Sequence, residues 1–250
     1  MLEFSPSLIE GIIRSRKGQF VMQVDVDGTE HRCHCPCTGR IGNLDIVGRP
    51  CLLSETDDTT RKTKYTVEAI SLNRPEDRDK SWIGINQNAA NRYVEYYLKN
   101  DAFNQMISSN SEVLREQLIG NSKLDFFVDN TYVEVKTPLL NIQLPIPDYV
   151  REKKLAPFSS IDRFCKHVLD LKNSLKSHQR AIMLLVFIYN NPGFKVLTRS
   201  TSFEKIQELT NDAFSGGVEL WQANFKITSE AVVLDKYFQL NFRKIADSLS

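Results

Sequence analysis

The sequence predicts a two-domain protein of mixed α+β class, with a small β-barrel over residues 1–80 and an α/β domain over residues 81–250. At 250 residues the chain is long for one ordinary domain and sufficient for two. Short strand patterns without helices fill the first part, which is typical of a barrel. A polar run rich in structure breakers, NRPEDRDKS at 73–81, precedes a part where helical and strand patterns alternate. A long hairpin loop inside a single domain is the alternative interpretation of that run.

The strands of the first domain are predicted from alternating apolar positions. Apolar residues alternate from Phe20 to Val26, and Asp27-Gly28 then predicts a tight hairpin turn into a second alternating run. The segments RPCLLSE (49–55) and KYTVEAISL (64–72) predict two further short strands.

The second domain shows two kinds of periodicity. Helical spacing is found in NAANRYVEYYLKN (88–100), SIDRFCKHVLDLKNSLKS (160–177) and TSFEKIQELTNDAFSGG (201–217). The last of these opens with a possible capping box from Thr201 to Glu204. Strands are predicted at KLDFFVD, TYVEVKT, AIMLLVFIY, GVELWQANFKI and AVVLDKYFQLNF. AIMLLVFIY is apolar throughout, as expected of a strand covered on both faces.

Composition excludes some classes of protein. No apolar run approaches the roughly 18 residues that a membrane span requires, and the first residues lack the pattern of a secretory signal. We therefore expect a cytoplasmic protein without a membrane partner, whose five cysteines are reduced. The net charge of +1 creates no strong global field, so any attraction to phosphate must come from local patches.

The most informative motif is LDFFVDNTYVEVK (124–136). If Asp129-Asn130 forms a two-residue turn, Asp125 lies directly opposite Glu134, and Lys136 points to the same side. Two facing carboxylates repel unless a cation neutralises them, and Mg²⁺ prefers oxygen ligands. The lysine would orient a hydrolytic water or offset charge on a phosphate. The alternative is a chance pattern on solvated strands.

Basic residues gather in two turns of the first domain. The nucleic-acid contacts predicted there are Arg14, Arg16 and Lys17 ahead of the first strand and Arg61, Lys62 and Lys64 between later ones. On an OB-like barrel such residues bind phosphate with a salt-dependent affinity and little sequence readout. Ordinary solvated surface is the alternative.

The segment HRCHCPCTGR (31–40) resembles a zinc site by composition. Structural zinc sites more often use a C-x₂₋₄-C knuckle with a second ligand pair elsewhere. We therefore interpret it as a strand with Cys33, Cys35 and Cys37 on one side and His34 on the other, running into a tight turn.

Several segments together resemble the sugar fermentation stimulation protein (SfsA) family: LEFSPSL, HCPCTG, SETDDTTRKTKYTVE, GINQNAANR, LDFFVDNTYVEVK and DRFCKHVLDL. The resemblance implies an N-terminal OB-like barrel, a C-terminal domain of the PD-(D/E)xK restriction-endonuclease-like fold, DNA binding and a regulatory role in sugar metabolism. It places the nuclease motif on Asp125, Glu134 and Lys136. Asn91, Arg92, Arg163, Lys166 and His167 also match the family, and Arg92, Arg163 and Lys166 are further predicted nucleic-acid contacts.

Two departures from the family pattern matter. Cys37 replaces an asparagine, and APFSSIDRFCKHV (156–168) lacks the aspartate and glycine that the family tends to show there. Glu112 is a candidate for a further carboxylate, with a surface position as the favoured alternative.

We therefore predict a DNA-binding protein, with RNA or single strands also possible partners, that hydrolyses phosphodiesters at a Mg²⁺ or Mn²⁺ site formed by Asp125 and Glu134. A non-catalytic DNA-binding regulator is the alternative, and a hydrolase of small phosphorylated metabolites is a third hypothesis. No helix-turn-helix motif is evident, which disfavours a conventional sequence-specific repressor. The sequence does not give the oligomeric state.

Overall fold

The computed structural model describes residues 1–37, 39–42, 44–108, 110–119, 122–153, 162–178, 180–195 and 201–242. In chain order the elements are β1 (Leu2–Glu3), β2 (Ile9–Ser15), β3 (Val21–Val26), β4 (Thr29–His34), β5 (Pro50–Glu55), β6 (Tyr65–Ser71), β7 (Trp82–Gly84), α1 (Gln87–Lys99), β8 (Leu114–Ile119), β9 (Ser122–Val128), β10 (Thr131–Lys136), α2 (Asp162–Ser174), β11 (Arg180–Phe187), α3 (Phe203–Ser215), β12 (Glu219–Ile227) and β13 (Ala231–Gln239). None of the helices in these ranges is long and apolar enough to cross a membrane.

The first sheet is a closed barrel. Its strands follow the order β4-β3-β2-β5-β6-β7, and β4 also pairs in parallel with β6, which closes β2 to β6 into a five-stranded barrel. The predicted hairpin turn is confirmed: Asp27 and Gly28 have φ of 50° and 82°, the left-handed pair that matches the twist of the flanking strands. The predicted OB-like barrel is confirmed.

Strand β2 was missed by the sequence analysis, and the placement of Arg14, Arg16 and Lys17 ahead of the first strand was wrong. Arg14 lies inside β2, and the other two residues follow it directly. Gly11 interrupts the apolar alternation of this strand. A Cβ at Gly11 would lie 2.6 Å from Val24 Cγ1, so the barrel interior has no room for the apolar side chain that would have revealed the strand.

The second sheet has seven strands in the order β1-β13-β12-β11-β10-β9-β8. Strands β10, β11 and β12 are parallel to one another, and the other neighbours are antiparallel. In β11, Ile182 and Leu184 pack with residues of α1, while Met183 and Leu185 pack with residues of α2 and α3. Helices therefore cover both faces, and the predicted mixed α+β class is confirmed.

Two details differ from the sequence-based expectations. Helix α3 begins at Phe203 with Ser202 as its N-cap and no side-chain capping hydrogen bond, so the capping box from Thr201 to Glu204 was wrong. Strand β8 was not predicted because its position at the sheet edge leaves most of its side chains exposed, without a buried alternating row.

The barrel and the second sheet meet at β7. Gly84 donates its backbone N–H to the carbonyl of Ile188 over 2.8 Å, and a Cβ at Gly84 would lie 2.3 Å from Ile188 Cγ2. The division at residue 80 stays a prediction. Strand β7, beyond that residue, pairs with β6, while β1 near the N-terminus pairs with β13.

Candidate active site

The β9–β10 hairpin has the predicted two-residue turn. Asp129 and Asn130 both have positive φ, 49° and 51°, and Thr131 pairs with Val128. This register continues through the pair of Val133 and Phe126. Beyond this pair the backbone ladder ends, because the N–H of Val135 bonds to the carboxylate of Asp125 instead of to its backbone. The charge of Glu134 acts on Asp125, so the hairpin brings the two carboxylates close together.

Two donors hold Asp125 in place. Its Oδ2 accepts the backbone N–H of Val135 at 2.8 Å, and its Oδ1 accepts from Asn91 Nδ2 at 2.7 Å. Burial and, after it, the negative charge of Glu134 raise the pKa of Asp125 above its usual value, against these hydrogen bonds and the charge of Lys136. A cation bound beside Asp125 and Glu134 would offset the repulsion between the two carboxylates.

Glu134 is 2 % exposed, and its two oxygens have different surroundings. Oε1 accepts from Lys136 Nζ at 2.5 Å and is hydrogen-bonded to Nδ1 of His167, which is also buried. Burial acts to raise the pKa of Glu134, but the hydrogen bonds and charges of His167 and Lys136 outweigh it and lower the pKa. Within the described ranges, the buried Oε2 has no hydrogen-bond partner.

Lys136 Nζ also lies 3.2 Å from His167 Nδ1, so the two nitrogens that converge on Oε1 are in contact with each other as well. A proton on Nδ1 lets His167 donate to Glu134, whereas the other tautomer leaves Nδ1 to accept from the lysine. In both arrangements Lys136 donates to Oε1, and Oε2 has no donor among the described residues.

The structure thus brings together Asp125, Glu134 and Lys136, and it adds two residues to which the sequence analysis assigned no role. Asn91 comes from α1 and His167 from α2, on opposite sides of the sheet. Asn91 and His167 belong to GINQNAANR and DRFCKHVLDL, two of the segments that resemble the family. This resemblance was the only feature of the sequence that pointed to them.

The donor set fits a hard divalent cation with few protein ligands. The described part of the chain contains no group of three or more His, Cys, Asp or Glu side chains arranged to hold a metal. Mg²⁺, however, is commonly bound through one or two carboxylates, with water and substrate phosphate as the other ligands. Asp125 and Glu134 Oε2 are the groups that would hold it, because a buried acceptor without a donor is costly to leave unsatisfied.

The predicted basic contacts of the barrel divide into two groups. Arg14 forms an ion pair with Asp25 at 2.7 Å and Lys64 one with Glu55 at 2.7 Å. Arg16 donates to the carbonyls of Gln19, Cys37 and Gly39, which ties down the HCPCTG turn. The exposed side chains of Lys17, Arg61 and Lys62 have no carboxylate partner among the described residues.

The remaining predicted contacts lie on helices. Arg163 and Lys166 are exposed on α2, the helix that carries His167, and Arg92 is exposed on α1 beside Asn91. Glu112 is exposed ahead of β8, with no hydrogen bond to Asp125 or Glu134.

Two parts of the predicted motifs lie outside the described residues. Residues 154–161 include the stretch where the family pattern has its aspartate, and Thr38 of the HCPCTG turn is also outside.

The cysteines belong to the barrel core. Cys33, Cys35 and Cys37 are all buried, and His34 between them is not. Burial raises the pKa of Cys33 to about 11 and also raises the pKa of Cys35 and Cys37. The predicted common direction of the three thiols is confirmed, but β4 ends at His34, so the expectation that Cys35 and Cys37 lie on the strand was wrong.

Comparison with known proteins decides the family. Residues 15–85 match the model described as "SfsA N-terminal OB domain", and residues 88–231 match "Sugar fermentation stimulation protein RE domain". The chain belongs to the sugar fermentation stimulation protein family.

Relatives of the family cover most of the chain. A sugar fermentation stimulation protein homolog of Microcystis aeruginosa is 29% identical over 236 residues, covering 91% of this chain and 92% of the relative. A homolog of a Synechococcus species is 33% identical over 186 residues, 72% of each chain. Among solved structures, Pyrococcus furiosus SfsA in complex with Ca²⁺ has a TM-score of 0.73 at 22% identity, covering 96% of this chain and 98% of that one. This last similarity establishes the shared fold.

Proposed function

We propose that this family member binds nucleic acid and hydrolyses phosphodiester bonds with a divalent cation, Mg²⁺ or Mn²⁺, held by Asp125 and Glu134. The observation that carries the proposal is the buried Oε2 of Glu134, which has no hydrogen donor among the described residues and lies on a carboxylate close to Asp125. A cation satisfies that oxygen and removes the repulsion that raises the pKa of Asp125.

The surrounding residues suit this chemistry. When bound, the cation would activate a water molecule and neutralise charge on the phosphate. Lys136, held against Glu134 at 2.5 Å, places a positive charge where a scissile phosphate approaches. Asn91 and His167 orient the carboxylates from opposite faces of the sheet, so they are positioning residues. The Ca²⁺ complex of Pyrococcus furiosus SfsA supports a site for a hard, oxygen-seeking cation in this fold.

The test is cleavage of labelled single-stranded DNA, double-stranded DNA and RNA by the full chain with Mn²⁺ or Mg²⁺. We expect cleavage that stops with EDTA and falls by at least a hundredfold in Glu134→Gln. Glu112→Gln is the matched control, because Glu112 is an exposed glutamate remote from these contacts. Activity that is unchanged in Glu134→Gln, or that falls equally in both variants, would contradict the assignment.

A non-catalytic DNA-binding role is the second candidate. It is favoured by the small number of side chains available to bind a metal, since the described ranges hold no group of three or more His, Cys, Asp or Glu residues arranged around one point. In this case gel-shift titrations show salt-dependent binding while every substrate stays intact with either metal. Absence of binding at low salt counts against both candidates.

A further inference from the structure

A polar cavity separate from the carboxylate site lies where the barrel meets the second domain. Its volume is about 380 Å³, and its walls come from the N-terminal segment, from β4, β5 and β6, and from the start of α1. Four of the six segments that carry the family resemblance contribute to it: LEFSPSL, HCPCTG, SETDDTTRKTKYTVE and GINQNAANR. The other two, together with Asn91 of GINQNAANR, form the carboxylate site. The segments singled out in the sequence therefore converge on two places, of which the proposed hydrolysis uses one.

Three basic side chains face this cavity: His34, Arg61 and Arg92. The side chain of Arg92 has no hydrogen bond or ion pair with any residue in the described ranges. The guanidinium of Arg61 donates to the hydroxyl of Thr66 at 3.2 Å and lies near enough to Asp58 for their charges to interact, without an ion pair between them. Basic groups gathered around a cavity without acidic partners attract an anion.

Two acidic residues also lie in the wall, and each has a partner other than the arginines. Glu55 forms an ion pair with Lys64 at 2.7 Å. Glu68, which is buried, accepts from Ser54 Oγ at 2.6 Å and from Asn86 Nδ2 at 2.7 Å. Neither carboxylate forms an ion pair with the arginines. Glu68 is the one described carboxylate of the wall without a basic partner, so two arginines face one such carboxylate across the cavity.

The start of α1 adds to the positive potential. Asn86 and Asn88 line the cavity, and the first turn of the helix contains no acidic residue. The N-terminal end of a helix carries a partial positive charge and favours anions. Because the cavity also has hydroxyl and amide groups in its wall, a tetrahedral oxyanion with several acceptor oxygens suits it better than a carboxylate.

We propose that this cavity binds a phosphate group, namely the terminal phosphate of a nucleic-acid strand whose adjoining nucleotides reach the carboxylate site. Its volume falls within the range of small-ligand pockets, about 300 to 1,000 Å³, and suits one terminal nucleotide rather than a duplex. Arg92 and Asn91 are consecutive in α1 and project about 100° apart, so one helix serves both sites. Only the identity of the strand depends on the proposed function; the phosphate binding does not.

The experiment is isothermal titration calorimetry of the full chain in EDTA, with inorganic phosphate and with short single-stranded DNA. The DNA carries a 5′-phosphate, a 3′-phosphate or neither. Wild-type protein is expected to bind inorganic phosphate and to prefer one phosphorylated end. Arg61→Gln and Arg92→Gln should each weaken both by about tenfold or more, because each removes a charged hydrogen-bond donor.

Arg78→Gln is the matched control, since Arg78 is exposed in the loop before β7 and does not line the cavity. The proposal is overturned if wild-type protein binds no phosphate, or if the Arg61 and Arg92 variants bind as tightly as the control. Equal affinity for all DNA ends overturns the assignment to a strand terminus. Failure of the proposed hydrolysis is seen separately, because Glu134→Gln should retain this phosphate binding and lose only cleavage.

Discussion

Replacing Asp125 by asparagine separates metal binding from folding. The carboxylate accepts from Val135 N and from Asn91 Nδ2, whereas the single carbonyl oxygen of asparagine can replace only one of its two oxygens. The lost hydrogen bond costs about 1 to 2 kcal/mol for a partly exposed group. The variant also removes the negative charge that faces Glu134, which offsets part of that cost. We expect the metal-free Tm to fall by no more than about 5 °C.

Mn²⁺ should then distinguish the variant from wild type. At a metal concentration of about 100 Kd, binding stabilises the wild-type fold by about 2.7 kcal/mol, which raises the Tm of a chain of this size by about 5 to 10 °C. If losing one of two carboxylates weakens the metal tenfold, the same concentration stabilises Asp125→Asn by only about 1.4 kcal/mol. The rise in Tm should therefore be about halved.

The assay is differential scanning fluorimetry across a Mn²⁺ titration, repeated with Mg²⁺ and Ca²⁺. Asp235→Asn is the control, because Asp235 is an exposed carboxylate on β13, away from the hairpin. A metal-dependent rise that is equal in wild type and Asp125→Asn, or absent from wild type, would refute the reasoning.

Three further predictions concern the barrel and its surface. Gly84→Ala should lower the free energy of unfolding by about 1 to 3 kcal/mol in urea titrations, because the new Cβ would lie 2.3 Å from Ile188 Cγ2; an unchanged midpoint would contradict this close approach. At pH 8 iodoacetamide should modify the partly exposed Cys165 before Cys33. Burial raises the pKa of Cys33 to about 11, which leaves little of the reactive thiolate. Mass spectrometry of the protein after labelling in its folded state can check this order. Lys62→Gln should reduce the salt slope of DNA binding by about one without changing sequence preference, and an unchanged slope would remove this lysine from the contact surface.

The strands, helices and hairpin turns with strong periodicity were predictable from the sequence. The turn at Asp129-Asn130 followed from local spacing, and because a two-residue turn fixes the register of a hairpin, the closeness of Asp125 and Glu134 followed with it. Strand β2 was missed because Gly11 replaces an apolar residue, and β8 because an exposed edge strand has no buried row.

The surroundings of the carboxylates could not be read from local spacing. His167 lies 33 positions from Glu134, and Asn91 lies 34 positions from Asp125; each comes from a helix packed on a different face of the sheet. Such contacts depend on how helices pack against a sheet, which periodicity does not encode. The family resemblance pointed to both residues without saying what they touch.

For the basic residues, too, the sequence predicted the positions but not the contacts. The sequence located the clusters, but only the folded chain decides which charges are already engaged: Arg14 by Asp25, Arg16 by three carbonyls and Lys64 by Glu55. It also brings Arg61 and Arg92, from different domains, to one cavity.

By itself the sequence determined the two kinds of secondary structure, the hairpin that carries the two carboxylates and the family of the chain. These depend on local periodicity, turn chemistry and motif order, which are written in consecutive residues. Tertiary structure alone decided that one oxygen of Glu134 is occupied and the other buried without a donor, and that a cavity lined with arginines lies beside the same helix. Burial and charge pairing are set by groups distant in the chain, and they give each carboxylate and arginine its chemical role.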